Sequence, residues 1–209
     1  GKKLHAENPD YYYLNTDTKI LCEYVLRPYL RQMTGESFII DSEKKMSFTR
    51  EQLVEVLTYI KDCYDGGVFE PAEDSATFKG QIHTNPKWMD GKFVFAYGPS
   101  SSINLLMDAV PEAECTVVQM PMAEDRVNDG FFADTPQYMT VNKNSEHVEE
   151  AVDFLNYFYN NAEAQETLKD VRSIPPTSTA RQLCADKGLL NQTVVDAVDL
   201  AAGLNGKSD

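Results

Sequence analysis

An α/β fold is what this sequence predicts, on three observations. Long amphipathic stretches with a helical period alternate with short apolar runs of strand length. Gly, Pro and Asp-Gly turns bound those runs. Of the 209 residues, 42% are hydrophobic, enough for the core of one domain or two small ones.

Taken in order, Tyr11-Tyr12-Tyr13-Leu14 reads as a strand or loop rich in aromatics. From Thr18 to Thr34 the apolar positions Ile20, Tyr24, Leu26 and Leu30 suit a helix closed by Gly35, with Pro28 bending or interrupting it. Residues 35–48 read as a loop with a short extended piece. The clearest helix follows. Thr49 and Gln52 form a capping-box pair, Leu53, Val56, Leu57, Ile60 and Tyr64 fall on one stripe, and Gly66-Gly67 supplies a left-handed stop. After a polar segment comes the turn Asp90-Gly91, then Lys92 to Tyr97, a run suited to a central, buried strand against which the stripe would pack. Gly98-Pro99 breaks it, and Ser100, Ser101 and Ser102 offer N-caps to a helix carrying Ile103, Leu106 and Met107. Cys115 to Met120 and Tyr138 to Val141 read as further strands, separated by a polar loop with its turn at Asp129-Gly130. Ser145 is placed to cap a helix with a core stripe of Val148, Ala151, Phe154, Leu155 and Phe158, running on with a break to Val171 and stopping at Ile174-Pro175-Pro176. A last amphipathic helix spans 191–204.

Composition excludes several function classes. The 19 Lys and Arg against 33 Asp and Glu give a net charge of −14, a sign that repels phosphate backbones and anionic lipid. Nucleic acid is therefore not an expected partner. No apolar run approaches the roughly 20 residues that span a bilayer, and GKKLHAENPD at the amino terminus lacks a signal-peptide core. For an exported protein, the targeting segment is expected to lie outside this sequence. Cys22, Cys63, Cys115 and Cys184 are widely spaced, with no metal-ligand pattern and no preferred disulfide pairing.

Catalytic signals are thin. His5, His83 and His147 have no companion at metal-ligand spacing, and the nucleophile elbow, Walker loop and dinucleotide fingerprint are all lacking. No metal and no cofactor are expected. With 33 acids a chance carboxylate pair is unavoidable, so Glu146, Glu149, Glu150 and Asp153 read as a solvated helix face. The informative groups are aromatic: Trp88, Tyr97, Phe131 and Phe132 flank the turns at Gly91, Gly98 and Gly130. Sugar C–H faces pack on such rings, and open α/β sheets bind ligands at the carboxyl ends of their strands. Each of these aromatics is equally well read as core.

Four features in order carry a resemblance: the helix TREQLVEVLTYIKDCYDGGVFEP, the block DGKFVFAYGPSSS, the segment VVQMPMAEDRVNDGF, and MTVNKNSEHVEEAVDFLNYFYNNAEAQETL followed by RSIPPTSTA. Over residues 45–180 the sequence resembles the extracellular solute-binding proteins of ABC importers, in the large family that takes up maltodextrins and oligosaccharides. The resemblance implies a lipid-anchored extracellular or periplasmic receptor, monomeric and non-enzymatic, whose two α/β lobes close on a sugar for delivery to the permease. It also implies a type II periplasmic-binding-protein lobe that is incomplete against the two-lobed fold. Residues 1–130 would be mostly the second lobe, 131–180 the segment crossing back to the first, and 181–209 a carboxyl-terminal helical segment. Carried over by position, the solute-facing residues would be Tyr97 with Ser100, Ser101 and Ser102 after the central strand, where serines stand in place of a stacking aromatic. Asp129, Gly130 and Phe131 match a cleft-crossing loop, and Asp17 and Lys19 match loosely. Trp88 sits in a segment that looks inserted. The alternatives are a glycan-active hydrolase, a receptor for peptide or another small solute, and an ectodomain that kept the fold without its ligand.

Overall fold

A computed structural model describes residues 1–40, 42–131 and 138–204. The chain opens with α1 (Lys2–Glu7), β1 (Tyr12–Asn15), α2 (Thr18–Leu21) and α3 (Arg27–Thr34), then a small antiparallel hairpin of β2 (Ile39–Ile40) and β3 (Lys45–Met46). The long α4 (Arg50–Asp65) leads through the short α5 (Ala72–Ser75) and α6 (Pro86–Met89) to β4 (Phe93–Ala96) and α7 (Ile103–Asp108). After an irregular stretch come α8 (Val148–Asn160), α9 (Ala162–Leu168), α10 (Ser178–Asp186) and α11 (Gln192–Ala202).

The parallel pair β1 and β4 organises this α/β arrangement, with Tyr12 opposite Phe93 and Leu14 opposite Phe95. Leu14 also bridges to Phe69, again in parallel. The centre of the sheet is therefore β1, and the run expected to be central, β4, lies beside it. Two apolar clusters flank the pair. Ile20, Ile82, Trp88, Phe93, Leu106 and Val110 form one. Leu14, Leu21, Cys63 and Phe69 form the other, and Tyr97 packs against both.

Local chemistry explains the helices that the sequence marks best. In α4 the Gln52 N–H donates to Thr49 Oγ1 at 3.3 Å and the Thr49 N–H donates to Gln52 Oε1 at 2.9 Å, a complete capping box. The helix stops where Gly67 takes φ +65°, a conformation costly to residues with a Cβ. The stretch from Thr18 to Thr34 is interrupted by a π turn, Cys22–Leu26, in which the Arg27 N–H reaches back to Cys22 O. Pro28 has no N–H to give Tyr24 and its ring crowds that carbonyl, so widening the preceding turn relieves both problems. Gly35, at φ +73°, closes α3.

Elsewhere packing overrules the pattern. Leu57 is 47% exposed while Val56 is fully buried. The stripe that packs runs through Leu53, Val56, Ile60 and Cys63, a line narrower than the apolar pattern, and Leu57 sits outside it. Ser100–Ser102 form a 3₁₀ turn, and α7 has no side-chain cap. The Ser102 hydroxyl instead donates back to Pro99 O at 2.8 Å. Residues 115–120 and 138–141 adopt no strand, because among the described residues no backbone lies alongside to pair with them. The expected stripe of α8 contains no buried residue, and Phe154 is 59% exposed. Ser145 lies before that helix and accepts from the His147 N–H. Asn161 ends α8 in extended conformation and caps α9, which makes the break, and α10 was not foreseen.

Two outcomes follow for stability. Val56→Ala should cost about 2 kcal/mol in chemical denaturation, the transfer of two methyls plus a cavity term. Leu57→Ala should stay within about 0.5 kcal/mol of the parent, as an exposed position does. The second outcome concerns alkali. Burial, with Glu23 adding to it, pushes the Tyr24 phenol up to about 12, so the folded state keeps a proton that the unfolded chain releases near 10. The neutral phenol's contribution is full below pH 10 and is lost as pH rises to 12. Melting temperatures between pH 9 and 12 should fall less steeply in Tyr24→Phe than in the parent.

Candidate functional site

Because β1 and β4 run parallel, the chain leaves both strands at one edge of the sheet. That edge gathers two of the expected groups: Asp17 and Lys19 beyond β1, and Tyr97 with Ser100–Ser102 beyond β4. Short turns at the carboxyl ends of parallel strands offer backbone N–H groups and hydroxyls to a ligand.

The members of this edge differ in what they have left to give. Asp17 is fully buried. Its Oδ1 accepts from the Lys19 and Ile20 N–H groups at 2.7 and 2.9 Å, and its Oδ2 accepts from the Gly80 N–H at 2.7 Å. The carboxylate is thus the N-cap of α2 and a tie to the segment before α6, with both oxygens engaged. Asp17 directly before an apolar-periodic run is an N-cap signal readable in the sequence. Lys19 is exposed and stands 4.0 Å from Glu23. Trp88 is buried in the core, where its indole N–H donates to Leu106 O at 3.0 Å. Tyr97 is half-buried between the two apolar clusters, and burial raises its phenol, reinforced by the phenols of Tyr59 and Tyr13. Ser100, Ser101 and Ser102 are half-buried on the edge itself.

Asp129, Gly130 and Phe131 are held differently. They end an irregular strap, residues 121–131, that lies along α3. Gly130 takes φ +69° and a Cβ there would stand 2.3 Å from Pro28 O, so the backbone is pressed against the helix. The Gly130 N–H donates to Asn128 Oδ1, and Arg126 Nε approaches Asp129 Oδ1 at 3.5 Å. Phe132 lies outside the described residues.

Two tyrosines, unmarked by the sequence reading, meet where α3 and α4 pack. Tyr59 on α4 meets Tyr29 on α3 edge-to-face at 5.5 Å. The Tyr29 phenol is raised by burial and then by Glu55 and Asp125, which places the strap's Asp125 within its field. Tyr59 sits off the apolar stripe of α4, the one signal that set it apart in the sequence. The residue that holds the strap, Gln32, gave no signal at all. An open cleft of about 450 Å³ lies elsewhere, lined by Asn104, Asp108, Asp170 and Asn191 among others, and none of the expected residues borders it. Among the described residues, no three His, Cys, Asp or Glu side chains are placed to hold a metal ion.

Among solved structures, a periplasmic oligogalacturonide-binding protein from Yersinia enterocolitica, in complex with saturated digalacturonic acid, matches with a TM-score of 0.87 at 24% identity, over 100% of this chain and 52% of that one. A periplasmic solute-binding protein from Pectobacterium atrosepticum matches with 0.79 at 20% identity, over 95% and 50% of the two chains. A family 1 extracellular solute-binding protein from Alicyclobacillus acidocaldarius matches with 0.71 at 20% identity, over 100% and 51%. The fold is that of a periplasmic solute-binding protein, and the chain spans about half the length of each of these structures. No curated protein sequence matches it. The family model for a bacterial extracellular solute-binding protein matches residues 26–197, from the π turn before α3 into α11. The chain belongs to the bacterial extracellular solute-binding protein family.

Proposed function

We propose that this chain is a carbohydrate-capturing part of an ABC importer, non-enzymatic, delivering its solute to a membrane permease from the extracellular face or the periplasm. In this reading residues 1–130 belong mostly to the second lobe of a longer, lipid-anchored receptor, and the solute sits in a cleft between that lobe and another. The observation that carries the reading is the parallel pairing of β1 with β4, which lines up Lys19, Tyr97 and Ser100–Ser102 on one edge. In this reading Asp129, Gly130 and Phe131 join them from the strap. Asp17 and Trp88 support the edge from beneath.

The charges favour a neutral, hydroxyl-rich ligand. The chain carries −14, and three of its cations already face carboxylates: Lys19 faces Glu23, Arg126 faces Asp129, and Lys87 contacts Glu70 and Asp74. The Yersinia protein binds digalacturonic acid, an anion at neutral pH. A uronate here would meet a negative field with no unengaged cation among those three to offset it.

Calorimetric titration of the longer receptor against neutral oligosaccharides and digalacturonate tests this reading. A neutral sugar should bind more tightly than digalacturonate. Asp129→Ala and Tyr97→Phe, the latter keeping the ring packed between its clusters, should each weaken binding by about 1 kcal/mol or more, roughly fivefold. If both bind like the parent while folded, the site is elsewhere. The 209-residue chain alone should bind the same sugar about a thousandfold more weakly. Half an enclosure forfeits contacts and desolvation of the order of 4 kcal/mol. Micromolar binding by this chain would contradict its assignment as part of a two-sided site.

A further inference from the structure

The strap that carries Asp129, Gly130 and Phe131 has no regular secondary structure of its own, yet it follows one path along α3. One side chain accounts for most of that path. Gln32 is 3% exposed, and its Nε2 donates to Pro121 O at 3.3 Å and to Asp129 O at 3.2 Å. Its Oε1 accepts from the Ala123 N–H at 2.9 Å, and its main-chain carbonyl accepts from the Val127 N–H at 2.7 Å. A single residue thus binds the strap at four positions spread over nine residues, from Pro121 to Asp129. A primary amide is suited to the task. Two of the facing groups are acceptors and one is a donor, which only a side chain with both functions satisfies, and which fixes the direction in which the amide lies. Among the described residues the strap also bonds within itself, as from Arg126 Nη1 to Ala123 O at 3.1 Å. Its second hold on α3 is steric, at Gly130 against Pro28 O.

The π turn determines where Gln32 points. An extra residue in one helical turn rotates everything after it by roughly 100° relative to an uninterrupted α-helix. With Cys22–Leu26 wound as α-helix, Gln32 would aim about that far from its present direction, away from the strap.

We propose that Gln32 is a positioning residue: it fixes the strap on α3 and so sets the placement of Asp129, Gly130 and Phe131. The anchoring rests on geometry, and its bearing on solute capture rests on the function proposed above.

The test uses the intact 209-residue chain and needs no ligand. Arg126 is exposed within the strap, so the bond after it reports strap release to trypsin. Gln32→Met keeps the length and burial of the side chain while removing its three hydrogen bonds. Digestion followed by mass spectrometry should show cleavage after Arg126 at least tenfold faster than in the parent, with the other Lys and Arg sites unchanged and the thermal melt still cooperative. Gly130→Ala, whose Cβ would stand 2.3 Å from Pro28 O and 2.6 Å from Gln32 Cγ, disturbs both holds at once and should produce the same selective cut. Cleavage after Arg126 at the parent's rate in a folded Gln32→Met chain overturns the proposal. So does acceleration spread evenly over all sites, which marks general loosening. Since no sugar is involved, failure of the proposed function leaves this result readable.

Discussion

A buried carboxylate with nowhere to send its charge is the constraint on which the sheet edge depends. Asp17 is fully buried at the point where β1 becomes α2, and an unpaired charge there would cost several kcal/mol. Three main-chain N–H groups answer it, two from the helix it caps and one from Gly80, sixty-three residues away. The bond to Gly80 fixes the segment that continues into α6 and β4, so the requirement to satisfy one carboxylate helps bring the two parallel strands into register. The same logic recurs next to it. Glu70, 1% exposed just after the Phe69 bridge, accepts from the Asn85 amide and from Lys87 Nζ at 3.0 Å. Asn85 in turn accepts from the Lys87 N–H and starts α6. Buried polar groups, together with Phe69, Ile82 and Trp88 in the apolar clusters, stitch the irregular segments between α4 and β4 to the sheet.

This arrangement divides labour along the edge. The inward-facing acids hold the backbone, and Ser100 to Ser102 stay half-buried on the edge. Tyr97 follows β4 directly and packs against both apolar clusters. Substituting it therefore probes the ligand cleanly only when the ring is kept. The strap brings a second kind of placement, in which one amide and one glycine contact substitute for secondary structure.

What the sequence made legible is what local chemistry decides. The capping box of Thr49 and Gln52, the bend at Pro28 and the turns at Gly91 and Gly130 all depend on residues a few positions apart, and each is present. The resemblance in four ordered blocks identified the family for the same reason, since each block is a local pattern. Tertiary partners are not written locally. Leu57 and Val56 are adjacent apolar residues on one helix, and only the packing of α4 decides which is buried. The tie from Asp17 to Gly80 and the hold of Gln32 on a strap about ninety residues downstream span distances over which a polar side chain leaves no periodic trace.

The segments read as strands that are not strands carry the same lesson further. Residues 115–120 and 138–141 have the apolar, β-branched composition of sheet, and Val118 and Tyr138 are exposed. The helix that follows, α8, turns Val152 and Phe154 outward as well, on a face whose spacing promised a core. Strand propensity expresses fit to a pleated surface, and without neighbours it produces nothing. Apolar patches of this kind mark surfaces built to be covered. The chain spans about half the length of the solved structures it matches. A two-lobed receptor, as proposed above, would supply both the backbone that residues 115–120 and 138–141 lack and the surface that α8 faces. Their composition is that of strand and core stripe, and in this chain they form neither.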